Sequence, residues 1–289
     1  MKETYLDFHV HTINSDGACT PKQVLELARK AGIDTLAITD HNYTEDLTCL
    51  QAENPDIRLI QGAEISCLYT GETVKDKELH MVALGFDPAK AKIKAVLAHN
   101  QPDRQPYIDA ILDRLRQCGM DLGTYADFRR KYPHKRHIGR MDIGREMRDL
   151  GYVETIEQAF EEYIGGNGQQ KAYVPNPLNY VTLEDAVEAV LDAGGVPVLA
   201  HLYYYLLNDE ENLQLLRHFK QLTGDRGGME VYYGIYDEPK RMALKTLADE
   251  VGLMYSAASD FHGHSENDTI HRHFRKSDCA ALLEQLGIR

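Results

Sequence analysis

No stretch of this chain approaches the ~20 consecutive apolar residues that a membrane span requires, so a transmembrane helix is not expected. Cysteine is sparse: Cys19, Cys49, Cys67, Cys118 and Cys279 are scattered, odd in number and without a Cys-x-x-Cys pair. That pattern argues against a disulfide framework or a structural zinc site and fits a reducing compartment. Positive charge is also short, with 32 Lys and Arg against 45 Asp and Glu and a formal net charge of −13. A broad basic surface is therefore excluded, and stable nucleic-acid binding is not expected. A small anionic substrate would need a local positive site, which bound metal ions can supply. There is no internal repeat and no low-complexity tract. Lys2-Glu3 lead directly into a strand pattern without a secretory signal, so a soluble, cytoplasmic protein is expected.

What is present is length enough for a large core. The 289 residues suit either one large α/β barrel or two ordinary domains, and 43% hydrophobic with 27% charged residues is ordinary for a globular protein. The first strand, Tyr5-Leu6-Asp7-Phe8-His9-Val10-His11, alternates. Leu6, Phe8 and Val10 share one parity, and Asp7, His9 and His11 the other. Imidazoles two residues apart on a strand face lie about 6–7 Å apart at their Cα atoms and can reach one metal ion. A lone His in a core is usually just hydrogen-bonded, but His-x-His above an Asp favours ligation, with Asp7 placed to fix an imidazole tautomer.

A Thr20 N-cap and Pro21 open a helix that Gly32 closes. Predicted strands follow at Thr35–Thr39, ending in Asp40-His41, then Arg58–Ile65 with Glu64, and Glu78–Gly85 with His80. Their near-continuous apolar character indicates strands buried on both faces, as in parallel sheets. From 95 to 173 the pattern turns helical, polar and Arg-rich, with amphipathic helices predicted at Ile108–Leu115, Met141–Leu150 and Thr155–Ile164. The strand–helix rhythm returns with a capped helix from Thr182, strands Val196–His201 and Gly228–Tyr233, a helix from Pro239 and a last strand ending Ser259-Asp260-Phe261-His262. The expected organisation is a barrel of residues 1–98 and 174–289 carrying a metal site. Residues 99–173 form an inserted helical subdomain that shapes the substrate pocket.

His9, His11, Asp16, His41, Glu64, His80, His201, Asp260 and His262 are all read at or just past the C-terminal ends of predicted strands, which share one rim in a parallel barrel. Nine such ligands are too many for one ion and suit two or three, and the mixed nitrogen and oxygen set suits manganese, iron or zinc. The remaining histidines, His99, His134, His137, His218, His264, His271 and His273, are read mostly as solvated.

His9-x-His11, Thr39-Asp40-His41, Gly62-x-Glu64, His80, Ala200-His201 and Ser259-Asp260-x-His262 together resemble the ordered motifs of the PHP (polymerase and histidinol phosphatase) phosphoesterases. The resemblance covers nearly the whole chain. It implies a distorted (β/α)7 TIM-like barrel and a trinuclear centre. One metal would be held by His9, His11, Glu64 and Asp260, a second by Glu64, His80 and His201, and a third by Asp16, His41 and His262. Asp16, together with Tyr163-Ile164-Gly165 and Tyr173-Val174-Pro175, is similar to the small members acting on nucleotide and ribose phosphates. The chain departs from that subgroup where Arg104 is followed by Tyr107, and where Arg140-Met141-Asp142 replaces Arg-Pro-His.

The expected activity is hydrolysis of a small phosphoester, a ribose or nucleotide phosphate or a cyclic phosphodiester cut at both ester bonds, by a hydroxide bridging two metals. Asp260, His201 and Glu64 are the expected catalytic residues. Arg104, Arg140 and Asp142 are the expected substrate contacts, the guanidinium fork matching phosphate oxygens. The departures leave the exact substrate open and favour a compact sugar phosphate. Histidinol-phosphate phosphatase, an exonuclease and a non-catalytic metal-binding module are the rival readings.

Overall fold

The computed structural model describes residues 5–101, 103–133, 135–166, 168–175, 179–265, 268–270 and 274–288. His134, His271 and His273 lie outside the described residues. Eight strands form one sheet: β1 (Tyr5–Val10), β2 (Ile33–Ile38), β3 (Arg58–Tyr69), β4 (Lys77–Leu84), β5 (Val196–Leu199), β6 (Gly228–Tyr233), β7 (Met254–Ala258) and the two-residue β8 (Phe274–Arg275). Their order is β7-β6-β5-β4-β3-β2-β1-β8. Just beyond β7, Phe261 bridges to Val10 in parallel, and Asp260 donates its backbone N–H to His9 O at 3.0 Å. That contact brings the sheet nearly to closure around strands β1 to β7, the distorted barrel that the resemblance implies.

The barrel is not parallel throughout. β1, β2 and β3 run parallel, as do β5, β6 and β7, but β4 is antiparallel to both of its neighbours. This corrects the reading of His80, which sits near the start of β4 rather than at its end. Because β4 runs backwards, its N-terminal end reaches the rim where β5 finishes, and His80 O accepts the Ala200 N–H at 3.1 Å. Glu64 is likewise not terminal. It lies in the middle of β3, which continues five residues beyond it as a hairpin with β4.

Strict alternation also fails in β1. Its register with β2 shifts between Asp7 and Val10. Leu6 and Phe8 pack with Ala37, Val82 and Val198, whereas Val10 packs with Val24, Leu25 and Ile38. Such an irregularity re-aims side chains, a common device beside functional sites. Around the sheet, the helix Pro21–Ala31 starts at a Thr20/Gln23 capping box and stops at Gly32, whose φ of 76° suits a residue without a Cβ. The helices Ala91–His99, Leu183–Asp192, Asp209–Thr223 and Glu238–Val251 cover β3 to β6 through Ile93, Val187, Leu216 and Leu244. No helix among the described residues is long and apolar enough to cross a membrane.

By its internal contacts the chain divides into two units. One comprises residues 1–12, 17–100 and 180–289, and the other residues 13–16 and 101–179. The second unit is helical, with Gln105–Gln117, Tyr125–Lys131, Arg140–Asp149 and Ile156–Ala159, the last running into a π-helical turn at Phe160–Ile164. Its core is built on Ile108, Leu112, Phe128, Ile143 and Met147.

Gly62 marks a close approach between β2 and β3. A Cβ there would sit 2.5 Å from Ile38 O and 2.8 Å from Thr39 Cγ2, so the backbone must move to accept one. Gly62→Ala is expected to lower stability by about 1–3 kcal/mol, the usual cost of overpacking. Urea unfolding measures this, and an unchanged midpoint would show that β3 yields freely.

Candidate metal centre

β1 carries His9, and His11 follows directly after the strand, both fully buried, while β3 carries Glu64, which is 1% exposed. The Glu64 carboxylate gathers five imidazoles. Oε2 lies 3.2 Å from His9 Nε2, 3.1 Å from His11 Nε2 and 3.0 Å from His41 Nδ1. Oε1 lies 2.8 Å from His80 Nδ1 and 3.1 Å from His201 Nε2. Asp260 Oδ1 adds a second carboxylate, 3.4 Å from His9 Nε2 and 3.2 Å from His11 Nε2. The His262 ring stacks on His11 with centroids 4.1 Å apart, and His41 is 4.6 Å from His11. The barrel thus brings His9, His11, His41, Glu64, His80, His201, Asp260 and His262 together. Asp16 stands on the loop Ile13–Asp16, which belongs to the second unit.

Local backbone chemistry holds these groups. Val10 N–H donates to Thr39 Oγ1 at 3.0 Å, and Thr12 donates both its N–H and its hydroxyl to Asp40 at 2.7 Å. The loop after His41 is tied down by Asn42, whose Oδ1 accepts from Ser66 N at 2.9 Å and Asn100 Nδ2 at 2.8 Å. Tyr205 hydroxyl bonds Ala200 O at 2.8 Å and accepts from His80 N at 3.1 Å. Asp268 accepts the backbone N–H groups of His262 and His264 at 3.0–3.1 Å. His201 and Asp260 both have positive φ, 25° and 55°. Non-glycine residues in that region are held there by their surroundings, most often at functional sites.

Burial would push the Glu64 and Asp260 carboxyls up. The surrounding imidazoles outweigh it, and both are held well below the usual carboxylate range. Burial alone would likewise depress His9 and His80. For His9, Glu64, Glu230 and Asp260 override it, and for His80, Glu64 and Glu78 raise the imidazole to about 10. Carboxylates that hold buried imidazoles protonated would equally hold a divalent cation in place of those protons. The packing says the same: Glu64 Oε2 has three ring nitrogens within 3.2 Å, yet none is aligned as a hydrogen bond. His9 Nε2 and His11 Nε2 also face each other at 3.0 Å. His9, His11 and Asp260 form one group with ligand atoms within 4.8 Å of one another, and His41, Glu64 and His80 form another. Imidazole and carboxylate donors at such spacing fit divalent manganese, iron or zinc.

The tautomer-fixing partner is not Asp7. Asp7 Oδ1 accepts the backbone N–H groups of His9 and Ser259, Oδ2 is buried without a hydrogen-bond partner, and burial raises the carboxyl to about 7. Glu230, in the middle of β6, takes that place at 2.6 Å from His9 Nδ1. Sequence reasoning passed over it because a single Glu between Met229 and Val231 carries no motif. Tyr233 is a second omission: its hydroxyl donates to Asp260 Oδ2 at 2.5 Å.

Within the helical unit, Arg104 is the N-cap of Gln105–Gln117, and Arg140 opens the helix Arg140–Asp149 with its guanidinium over the Phe160 ring. Asp142 is fully buried. It accepts from Gly139 N at 3.0 Å, Lys135 Nζ at 2.7 Å and Arg145 Nη1 at 3.1 Å. Burial, then Arg104, Arg136 and Arg129, push His137 down to about 4. Of the histidines read as solvated, His99 is exposed, but His137, His218 and His264 are part-buried.

A mixed barrel whose rim converges carboxylates and imidazoles on one point defines a metal-binding α/β protein. The PHP domain family matches residues 7–233, and the chain belongs to that family. The 3',5'-nucleoside bisphosphate phosphatase of Chromobacterium violaceum is 30% identical over 98% of this chain and 97% of its own length. The 5'-3' exoribonuclease Rnm of Salmonella typhimurium is 30% identical over 89% of this chain and 84% of its own. The phosphoribosyl 1,2-cyclic phosphate 1,2-diphosphodiesterase of Eggerthella lenta is 27% identical over 89% and 94%. Among solved structures, an amidohydrolase from Chromobacterium violaceum with bound sulfate and no metal superposes with a TM-score of 0.84, at 28% identity over 98% of this chain and 96% of that one.

Glu64→Gln keeps the shape of the side chain but removes the charge that five imidazoles surround. The variant is expected to lose divalent metal at neutral pH. Elemental analysis after gel filtration checks this, and full metal content in the variant would remove Glu64 from the ligand set.

Proposed function

We propose that this PHP-family chain hydrolyses a small phosphorylated metabolite, a ribose or nucleotide phosphate or a cyclic phosphodiester cut at both ester bonds, in the cytoplasm. The chain is a metal-dependent phosphoesterase. The observation that carries this is the single buried carboxylate of Glu64 joined to five imidazoles beside Asp260. The named relatives support it: a bisphosphate phosphatase and a cyclic diphosphodiesterase both act on small phosphate esters.

When bound, two or three divalent cations supply Lewis acidity, lowering the pKa of water towards ~7 and offsetting charge on the phosphoryl oxygens. The chain's own residues do the rest. His9, His11, His41, His80, His201, His262, Glu64 and Asp260 would hold the cations. Tyr233 donates to one oxygen of Asp260 and so turns the other towards His9 and His11. Asp260 is more open than Glu64, with 19% against 1% of its side chain exposed, and in this reading it meets the reacting water. Arg104 and Arg140 supply guanidinium forks for phosphate. Asp142 serves through Lys135 and Arg145 rather than by touching substrate, since its oxygens are already occupied.

The likeness to an exoribonuclease favours a second reading, in which the substrate is the 5' end of a short RNA. Phosphate release across nucleotides, sugar phosphates, cyclic phosphates and labelled oligonucleotides separates the two. His9→Ala and Asp260→Ala are expected to abolish turnover while circular dichroism stays unchanged, and retained turnover would refute the metal role. Arg104→Ala and Arg140→Ala are expected to raise KM about tenfold, the ~1.5 kcal/mol of a charge-assisted hydrogen bond. An unaltered KM in both would remove them from the phosphate site.

A further inference from the structure

Glu230 is a glutamate on a strand that is otherwise apolar or aromatic, and at 1% exposure it is as buried as Glu64. Both of its oxygens are in use. Oε1 lies 2.6 Å from His9 Nδ1, and Oε2 accepts the backbone N–H of His201 at 2.7 Å. An imidazole nitrogen that close to a carboxylate oxygen must carry a hydrogen, since two facing lone pairs would repel. His9 Nε2 is then the nitrogen left to donate its lone pair, and it is the one that lies among Glu64, Asp260 and His11. His201 is the residue whose backbone is held at a φ of 25°, a conformation that needs an external partner to persist.

We propose that Glu230 is the positioning residue of the metal centre. It locks His9 in the tautomer that turns Nε2 to the cation, and with its other oxygen it fastens the strained turn that presents His201. One carboxylate thereby sets two histidines, His9 on β1 and His201 on the turn after β5. Glu230 touches no substrate. Its effect passes through the two histidines, in the way hydrogen-bond partners of metal ligands commonly tune affinity.

Glu230→Gln is the discriminating variant. An amide has the same shape but only one acceptor, so it can satisfy His9 or His201 and turns an NH2 towards the other. Zinc affinity, measured by competition with a chromogenic chelator, is expected to fall 10- to 100-fold. Asp7→Asn serves as the control, because Asp7 bonds the backbone N–H groups of His9 and Ser259 and no imidazole nitrogen, and its variant is expected to bind zinc within twofold of the wild type. A merely structural role for Glu230 would lower the thermal midpoint of the metal-free variant and leave the zinc affinity of its folded form unchanged.

A second measurement needs no substitution at Glu230. In zinc-loaded wild-type protein with 15N-labelled histidine, long-range 1H–15N correlations are expected to show a hydrogen on His9 Nδ1 and none on Nε2. The His9 signals are assigned by their loss in His9→Gln. Zinc binding by Glu230→Gln within twofold of the wild type, or a hydrogen on His9 Nε2, overturns the proposal. If Glu230→Gln does not fold, the wild-type spectrum decides alone. The proposal rests on the cluster being a metal centre: wild-type protein that takes up no zinc overturns both readings, whereas equal zinc binding by the variant overturns only this one.

Discussion

A carboxylate with no water around it is costly unless its surroundings replace that water. Glu64 is such a group, and five imidazoles from five separate loops and strands are what replace it. The barrel can be understood as the scaffold that brings them to one point. β1 delivers His9 and the segment after it His11, the turns after β2 and β5 deliver one each, and β4 delivers the fifth. None of these is near Glu64 along the chain except His80, sixteen residues on across the β3–β4 hairpin. The centre therefore exists only when the strands are in register. Conversely, the strands converge at that rim only if the charges there are mutually satisfied.

The backward run of β4 is central to this arrangement. In a barrel with every strand parallel, a residue near the start of a strand lies at the face opposite the site. Reversing one strand moves its start to the ligand rim and lets His80 bond Ala200 directly ahead of His201. The reversal also lets β3 run on past Glu64, so that Glu64 is paired within the sheet instead of lying on a loop. Groups pinned in the middle of a strand lose little freedom on binding, which is the condition for a preorganised site. The positive φ angles at His201 and Asp260, which cost on the order of 1–3 kcal/mol each, show where the chain is bent to bring the last ligands in.

The helical unit poses a different electrostatic problem. The chain carries a net charge of −13, yet Arg104, Arg129 and Arg136 surround His137 closely enough, with burial, to hold it neutral well into the acid range. Within that unit Asp142 does not advertise negative charge, because Lys135 and Arg145 consume it. Net charge sets long-range steering, but recognition of an anion depends on the local field.

Much of this was legible along the chain. Alternation and apolar runs locate the seven main strands to within a few residues, because burial on both faces leaves few other places for such segments. Thr20 with Gln23, and Thr182, mark helix starts because capping is a local bond between residues three apart. The His, Asp and Glu ligands stand out because polar metal-binding side chains are rare at the ends of apolar strands. What the chain could not announce is everything decided by pairing. The direction of β4, the slip in β1 that parts Val10 from Leu6 and Phe8, and the choice of Glu230 over Asp7 as the partner of His9 all depend on which strand lies beside which. Residue types and spacing determined that imidazoles and carboxylates able to hold a metal would gather at one centre. Tertiary structure alone decided which nitrogen of each imidazole faces it, because a hydrogen bond across 221 residues leaves no periodicity for a sequence to display.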